Sequence, residues 1–290
     1  MLLVDGHAYA YRAFHAIRQL ASPTGAPTNA IYGFIKMLGK MQARLAPTHL
    51  LLVWDGGLAA ERMAALPQYK SQRPPMPDSL EAQIAAINRY LTAASIASSC
   101  QEGVEADDWI ASVARQGVAA GLAVVIASSD KDFLQLVSPR VGLLNPNDKS
   151  EKIWNAEDVR TKTGVAPEQI VDWLSLIGDA VDNIPGVPGV GPKTSADLLR
   201  QFGSVQALFQ RLDEVKSERL RAGLELSAEM VRRNQQLIRL KDNLAGHFDL
   251  GSTLVRPPDL EQLQPLYAEW GFKSLLEKAS ALPTAQADLL

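Results

Sequence analysis

The chain carries three short, unbroken apolar runs, "LLV" at 2–4, "LLLVW" at 50–54 and "AVVIA" at 123–127. Runs of this length without polar alternation predict strands buried on both faces, as in a parallel sheet. Between them the period changes to that of a helix. "AIYGFIKMLGKMQARL" (30–45) and "LEAQIAAINRYLTAA" (80–94) place apolar residues at helical spacing. A helix predicted from Asp107 puts Ile110, Val113, Ala114 and Val118 on one face. This alternation predicts an α/β fold, doubly wound around a mostly parallel sheet. After about residue 175 the pattern turns helical and loop-rich, opening with the Gly/Pro-dense "NIPGVPGVGPKTSADLLRQFG" (183–203).

Each apolar run leads into an aspartate: Asp5, Asp55 and, after two serines, Asp130. Open α/β sheets keep their ligand crevice outside the carboxyl ends of the strands, so these acids are expected to converge there. One such aspartate reads as a turn or helix N-cap; three in three runs do not. "GVEADDWIA" adds Glu105, Asp107 and Asp108, with 105 and 108 on one helical face. "SSDKDF" adds Asp132, and "GDAVDN" adds Asp179 and Asp182. Like charges gathered at a sheet edge are stable only if cations neutralise them or some acids take up protons. The four histidines are scattered and Cys100 is the single cysteine, so no zinc-type ligand set exists. Ligation by carboxylates alone favours Mg²⁺, with Mn²⁺ able to substitute. Two such ions about 4 Å apart make a phosphodiester-cleaving site.

Two further segments carry chemistry. "GVPGVGPKT" lacks the spacing of a nucleotide-binding P-loop, but its small residues, lysine and hydroxyl before a helix suit a phosphate. The stretch from Gly56 to Pro77 is long for a connection and bears Tyr69, Lys70 and Arg73. It reads either as a solvated loop or as a basic, aromatic-bearing gate.

Composition narrows the class. The 290 residues are 47% hydrophobic and 21% charged, which is ordinary globular usage. A single cysteine fits a reducing compartment, and the longest apolar run (118–127) is shorter than the roughly 20 residues that cross a bilayer. With no basic stretch at the start, the expectation is a soluble cytoplasmic protein that does not engage a membrane. The net charge of −3 argues against a nucleic-acid partner, yet residues 193–241 hold 10 Lys/Arg against 6 acids.

Taken together, "VDGHAYAYRAFHA", "YKSQRPPMP", "GVEADDWIA", "SSDKDFLQLV" and "IGDAVDNIPGVPGVGPKT" resemble the 5′ nuclease domain of bacterial DNA polymerase I and its stand-alone relatives, the 5′→3′ exonuclease and flap endonuclease family. The resemblance runs from Val4 to about Phe272. It implies a PIN-like nuclease core over 1–175 with a helical arch at about 56–90, a helix–hairpin–helix DNA-binding subdomain over 176–275, and a tail at 276–290. It further implies a first metal site from Asp5, Asp55, Glu105, Asp107 and Asp108, and a second from Asp130, Asp132, Asp179 and Asp182. Arg12, Lys70 and Arg73 match basic residues directed at the scissile phosphate, and Tyr69 an aromatic that stacks on a base. Gly186, Gly189, Gly191, Lys193 and Thr194 match the duplex-gripping hairpin, where the family typically binds K⁺. The implied activity is two-metal hydrolysis of DNA at 5′ flaps, nicks and 5′ ends, with RNA-primed DNA among the candidate substrates and a monomer sufficient. Two departures, His7 and Trp54, lie beside expected ligands. A catalytically silent junction binder and a small-molecule phosphohydrolase remain the alternatives.

Overall fold

The computed structural model describes residues 1–244 and 248–281; most of the expected tail, from 282, lies outside them. Strands are β1 Leu2–Asp5, β2 Leu50–Trp54, β3 Ala97–Cys100, β4 Val124–Ala127, β5 Val141–Leu144 and β6 Ile153–Trp154. The first helices are α1 Gly6–Ala16, α2 Asn29–Leu45, α3 Ala60–Ala65, α4 Asp78–Ala93, α5 Ala106–Ala119, α6 Ala156–Thr163 and α7 Ile170–Ile177. They are followed by α8 Pro192–Phe202, α9 Val205–Gln210, α10 Glu218–Leu226, α11 Ala228–Ile238, α12 Leu260–Glu269 and α13 Lys273–Ser280. The chain divides into two compact units: one from Met1–Trp54, Pro75–Cys100 and His247–Leu290, the other from Asp55–Pro74 and Gln101–Gly246. Among the described residues, no helix is long and apolar enough to cross a membrane.

In the first unit β2 pairs in parallel with both β1 and β3. Every residue of β1 and β2 is buried, as continuous apolar runs require. The β3 sequence ASSC alternates half-buried and exposed, which is why no apolar run announced it. α2 turns Ile31, Phe34, Ile35, Leu38 and Met41 inward and ends at Ala46, whose φ of 40° breaks the helix. It packs on α1, where a Cβ on Gly33 would lie 3.0 Å from that of Ala13. α4 covers 78–90 of the expected arch, but it is a core helix here, with Leu80 and Ile87 fully buried. Trp54 lies edge-on to His7 at 5.2 Å and fills the space beside Gly6, where a Cβ would come within 2.6 Å of the indole. The two departures thus pack against each other.

In the second unit β4 pairs in parallel with β5, and β5 antiparallel with β6. α5 packs on β4 and buries Trp109, Ile110, Val113 and Ala114. α7 packs against α8 and α11. Between α7 and α8 the chain crosses itself backbone on backbone. A Cβ on Gly178 would stand 2.4 Å from the Gly186 nitrogen, and one on Gly186 would stand 2.2 Å from the Ile177 oxygen. Only glycine fits either place, and the crossing pinches off the loop that carries Asp179 and Asp182.

Candidate active site

The second unit gathers eight of the nine expected acids. Asp55 follows β2, and its Oδ1 accepts the Gly57 N–H at 2.9 Å. Glu105 stands at the N-cap of α5 without capping it, and Asp107 and Asp108 form its first turn. Asp130 follows β4 and accepts the Asp132 N–H at 2.9 Å. Asp179 and Asp182 sit on the pinched loop, closed by an isolated bridge from Asp179 to Ile184. Asp5 belongs to the first unit, where it N-caps α1 by accepting the Ala8 N–H at 3.0 Å. Arg12 lies exposed on the same helix.

Glu105 and Asp108 share a face, as their spacing predicts, and that face meets Arg62 of α3. Arg62 Nη1 lies 2.6 Å from Glu105 Oε2 and Nη2 lies 2.8 Å from Asp108 Oδ1. Its Nε and Nη2 also donate to the carbonyls of Leu237 (2.9 Å) and Arg239 (3.3 Å). Burial, the largest single influence, disfavours the charged guanidinium, but Asp108 and Glu105 outweigh it and hold Arg62 firmly protonated.

The turn at 66–73 brings more positive charge. Lys70 Nζ lies 3.0 Å from Glu105 Oε2 and 4.0 Å from Asp182 Oδ2, and Arg73 Nη2 lies 2.5 Å from Asp182 Oδ1. Tyr69 donates its hydroxyl to Glu105 at 3.2 Å. Lys131 reaches Asp179 at 3.2 Å. Burial alone raises the pKa of Glu105, but Lys70 and Arg62 more than reverse it and leave the carboxyl below its ordinary value.

Asp130 and Asp132 are different. Burial pushes the Asp130 carboxyl up, and Asp182 and Asp179 add to it. Asp132 is raised further, by burial and then by Asp130, Asp107, Asp182 and Asp179. Its Oδ1 is buried without a hydrogen-bond partner. A buried, orphaned and charge-crowded carboxylate oxygen has the chemistry of a donor to a hard divalent cation.

Several expectations change. Among the described residues no three acids form a ready-made metal ligand set. Arg62, Lys70 and Arg73 stand on Glu105, Asp108 and Asp182 and supply part of the neutralisation expected from metal alone. Tyr69 is only 3% exposed, so it anchors the turn rather than offering a face to a base. Lys70 is buried too, and it lies on Glu105 rather than toward solvent. Gly186 serves the backbone crossing rather than a phosphate, whereas Gly189 and Gly191 have open space around them. Lys193 is exposed in the first turn of α8, whose start is tied to α7 by Trp173 Nε1 donating to the Pro192 carbonyl at 3.0 Å. Arg62 escaped the sequence reading altogether. Its signal was an arginine in line with Ala59 and Leu66 on the buried face of a short helix.

A family model described as the 5′-3′ exonuclease N-terminal resolvase-like domain matches residues 1–164, and one described as the 5′-3′ exonuclease C-terminal SAM fold matches 165–261. The chain is 37% identical to a 5′-3′ exonuclease of Aquifex aeolicus, over 97% of this chain and 96% of that protein. It is 38% identical to DNA polymerase I of Bacillus caldotenax, over 96% of this chain but only 32% of the polymerase. The chain therefore spans about a third of the length of the polymerase relative. Among solved structures, a T5 5′-exonuclease with zinc ions bound superposes with a TM-score of 0.70 at 22% identity, covering 96% of this chain and 99% of that one. The catalytic core of Rad2 in complex with a DNA substrate superposes with a TM-score of 0.65 at 17% identity, covering 98% and 92%. These matches accord with the α/β core and helical C-terminal half expected from the sequence.

Proposed function

The chain belongs to the 5′-3′ exonuclease family, and on that premise we propose that it is a divalent-metal-dependent, structure-specific 5′ nuclease acting on DNA flaps, nicks and 5′ ends. The observation that carries this reading is the orphaned Asp132, crowded by acids that include Asp182, the carboxylate on which Arg73 also lies. Asp130, Asp132, Asp179 and Asp182 would hold one Mg²⁺, and Asp55, Glu105, Asp107 and Asp108 would supply donors of a second. Bound metal would lend the charge that makes water a nucleophile and steadies the leaving oxygen.

The chain's own residues do the rest. Lys70 and Arg73, now on Glu105 and Asp182, are the cations that would turn to the substrate phosphate once those carboxylates have another counter-charge. Gly189, Gly191, Lys193 and Thr194 grip duplex phosphates without reading sequence, and a K⁺ ion in that hairpin would add to the grip. A monomer in the cytoplasm meets these requirements, with RNA-primed DNA among the substrates and replication or repair as the setting.

The test is cleavage of a 5′-labelled flap substrate in Mg²⁺ and in EDTA, wild type beside Asp107→Asn. Metal-dependent cuts near the junction, lost in the variant, are expected. Tight flap binding without cleavage in Mg²⁺ or Mn²⁺ would replace this reading with a silent junction binder.

A further inference from the structure

The turn that carries Lys70 and Arg73 is held to the 179–184 loop by two kinds of contact. The first kind ends on the carboxylate of Asp182: Arg73 at 2.5 Å and Lys70 at 4.0 Å as ionic tethers, with the Tyr69 hydroxyl at 3.5 Å. The second kind is uncharged. Asn183 Nδ2 donates to the Gln68 carbonyl at 2.9 Å and lies 3.4 Å from Ser71 Oγ, while the Lys70 N–H donates to the Asp182 carbonyl at 3.0 Å. Both residues at this junction have left-handed backbone, with φ of 55° at Lys70 and 57° at Asn183. Side chains with a Cβ rarely hold that conformation unless neighbouring contacts impose it, and asparagine tolerates it better than most.

The distinction matters because Asp182 is also a candidate metal donor. A cation that takes its carboxylate removes the ionic tethers at the moment Lys70 and Arg73 are needed for a phosphate. What then keeps the turn in place is its hold on Glu105, through Lys70 and Tyr69, and the uncharged set, in which Asn183 is the side chain that reaches the turn from the 179–184 loop. We infer that Asn183 is a positioning residue, a neutral clamp that holds the Tyr69–Arg73 turn over the acids whether or not Asp182 is engaged. The inference rests on the nuclease reading for its consequence, but the clamp itself can be observed without turnover.

Two variants test it. Asn183→Asp keeps the size and the tolerance of left-handed backbone but cannot donate; Asn183→Gly keeps the backbone and carries the test should the aspartate fold poorly. Trypsin cleavage of the Lys70–Ser71 bond is followed by mass spectrometry in EDTA and in Mg²⁺. Lys70 is 6% exposed, so the wild type should resist in both. The variants should be cut about 10-fold faster in Mg²⁺, the factor expected for one lost hydrogen bond, and less so in EDTA, where the ionic tethers persist. On a flap substrate the same variants should lose about 10-fold in kcat with KM unchanged, since the duplex grip is untouched. Wild-type resistance at Lys70 in both variants overturns the clamp. Faster proteolysis with unaltered kcat overturns the positioning role. Failure of the nuclease reading is separate, because it is seen as a wild type that does not cut.

Discussion

Replacing Arg62 with methionine isolates what a buried cation does for this site. The variant keeps most of the side-chain length and removes the charge. Glu105 retains Lys70 at 3.0 Å and Tyr69 at 3.2 Å. Asp108 Oδ1 retains the Lys241 N–H at 2.9 Å, but no cation. Side-chain exposure is 1% at Glu105 and 2% at Asp108, so water cannot replace the guanidinium. Breaking one side of a buried pair costs about 3–5 kcal/mol, mostly from the stranded charge. Because Glu105 keeps a partner, the lower half of that range, about 3–4 kcal/mol, is expected. With a urea slope of about 2–3 kcal/mol/M, the midpoint should fall by roughly 1–2 M, read by tryptophan fluorescence in EDTA. The diagnostic variant adds Glu105→Gln and Asp108→Asn. If stranded charge is the cause, neutralising both acids recovers most of the loss. A single variant that loses under about 1 kcal/mol, or a triple variant no more stable than the single, refutes the reasoning.

Other outcomes follow from the same charges. Asp132→Asn should raise the thermal midpoint of the metal-free protein by removing a crowded carboxylate, and should abolish Mg²⁺-dependent cleavage; a lowered midpoint would contradict the crowding. Mg²⁺ at ten times its dissociation constant should stabilise the wild type by about 1.4 kcal/mol in calorimetry, and Asp132→Asn by clearly less. The raised carboxyls of Asp130 and Asp132 bind more protons folded than unfolded, so metal-free stability should rise as pH falls through their folded pKa values. Glu105 has the opposite sign. Its contribution is complete above its unfolded pKa of about 4.3 and is lost as pH falls through its lower folded value, so acid denaturation should follow the initial gain. Lys193→Ala should weaken duplex binding and reduce the salt slope of log K by about one unit; an unchanged slope would remove it from the DNA contact.

The apolar runs were legible in the sequence because a strand buried on both faces has little choice of composition. β3, written ASSC, was not legible, since an edge strand can be polar and leaves no run to find. The acids were legible from their recurrence after strands and in one helical turn. What neutralises them was not. The partners of Arg62 lie 43 residues away at Glu105 and 175 away at Leu237, separations that no local pattern encodes. Tyr69 misled for a related reason: a tyrosine in a Pro-rich basic segment reads as exposed, whereas its buried hydroxyl donates to Glu105, 36 residues away in sequence. Gly186 was read with its neighbours as one phosphate cradle, and only the backbone crossing separates its role from theirs.

The three-segment construction of the first unit bears on how a ribosome delivers this protein. α4 finds its partner in α12, through a Tyr90–Tyr267 ring contact at 6.4 Å and a two-pronged Arg89–Glu269 pair at 2.8 and 2.7 Å. The unit that begins first is therefore finished last, with the whole second unit translated in between. At about 5–20 residues per second, the wait from Cys100 to α13 is roughly 10–35 s. Throughout it the side of α4 that α12 covers, with Tyr90 and Arg89, waits for its partner. Slow codons between those for Cys100 and α12, or a shortage of chaperone, should therefore depress the yield of this protein more than its final stability would suggest.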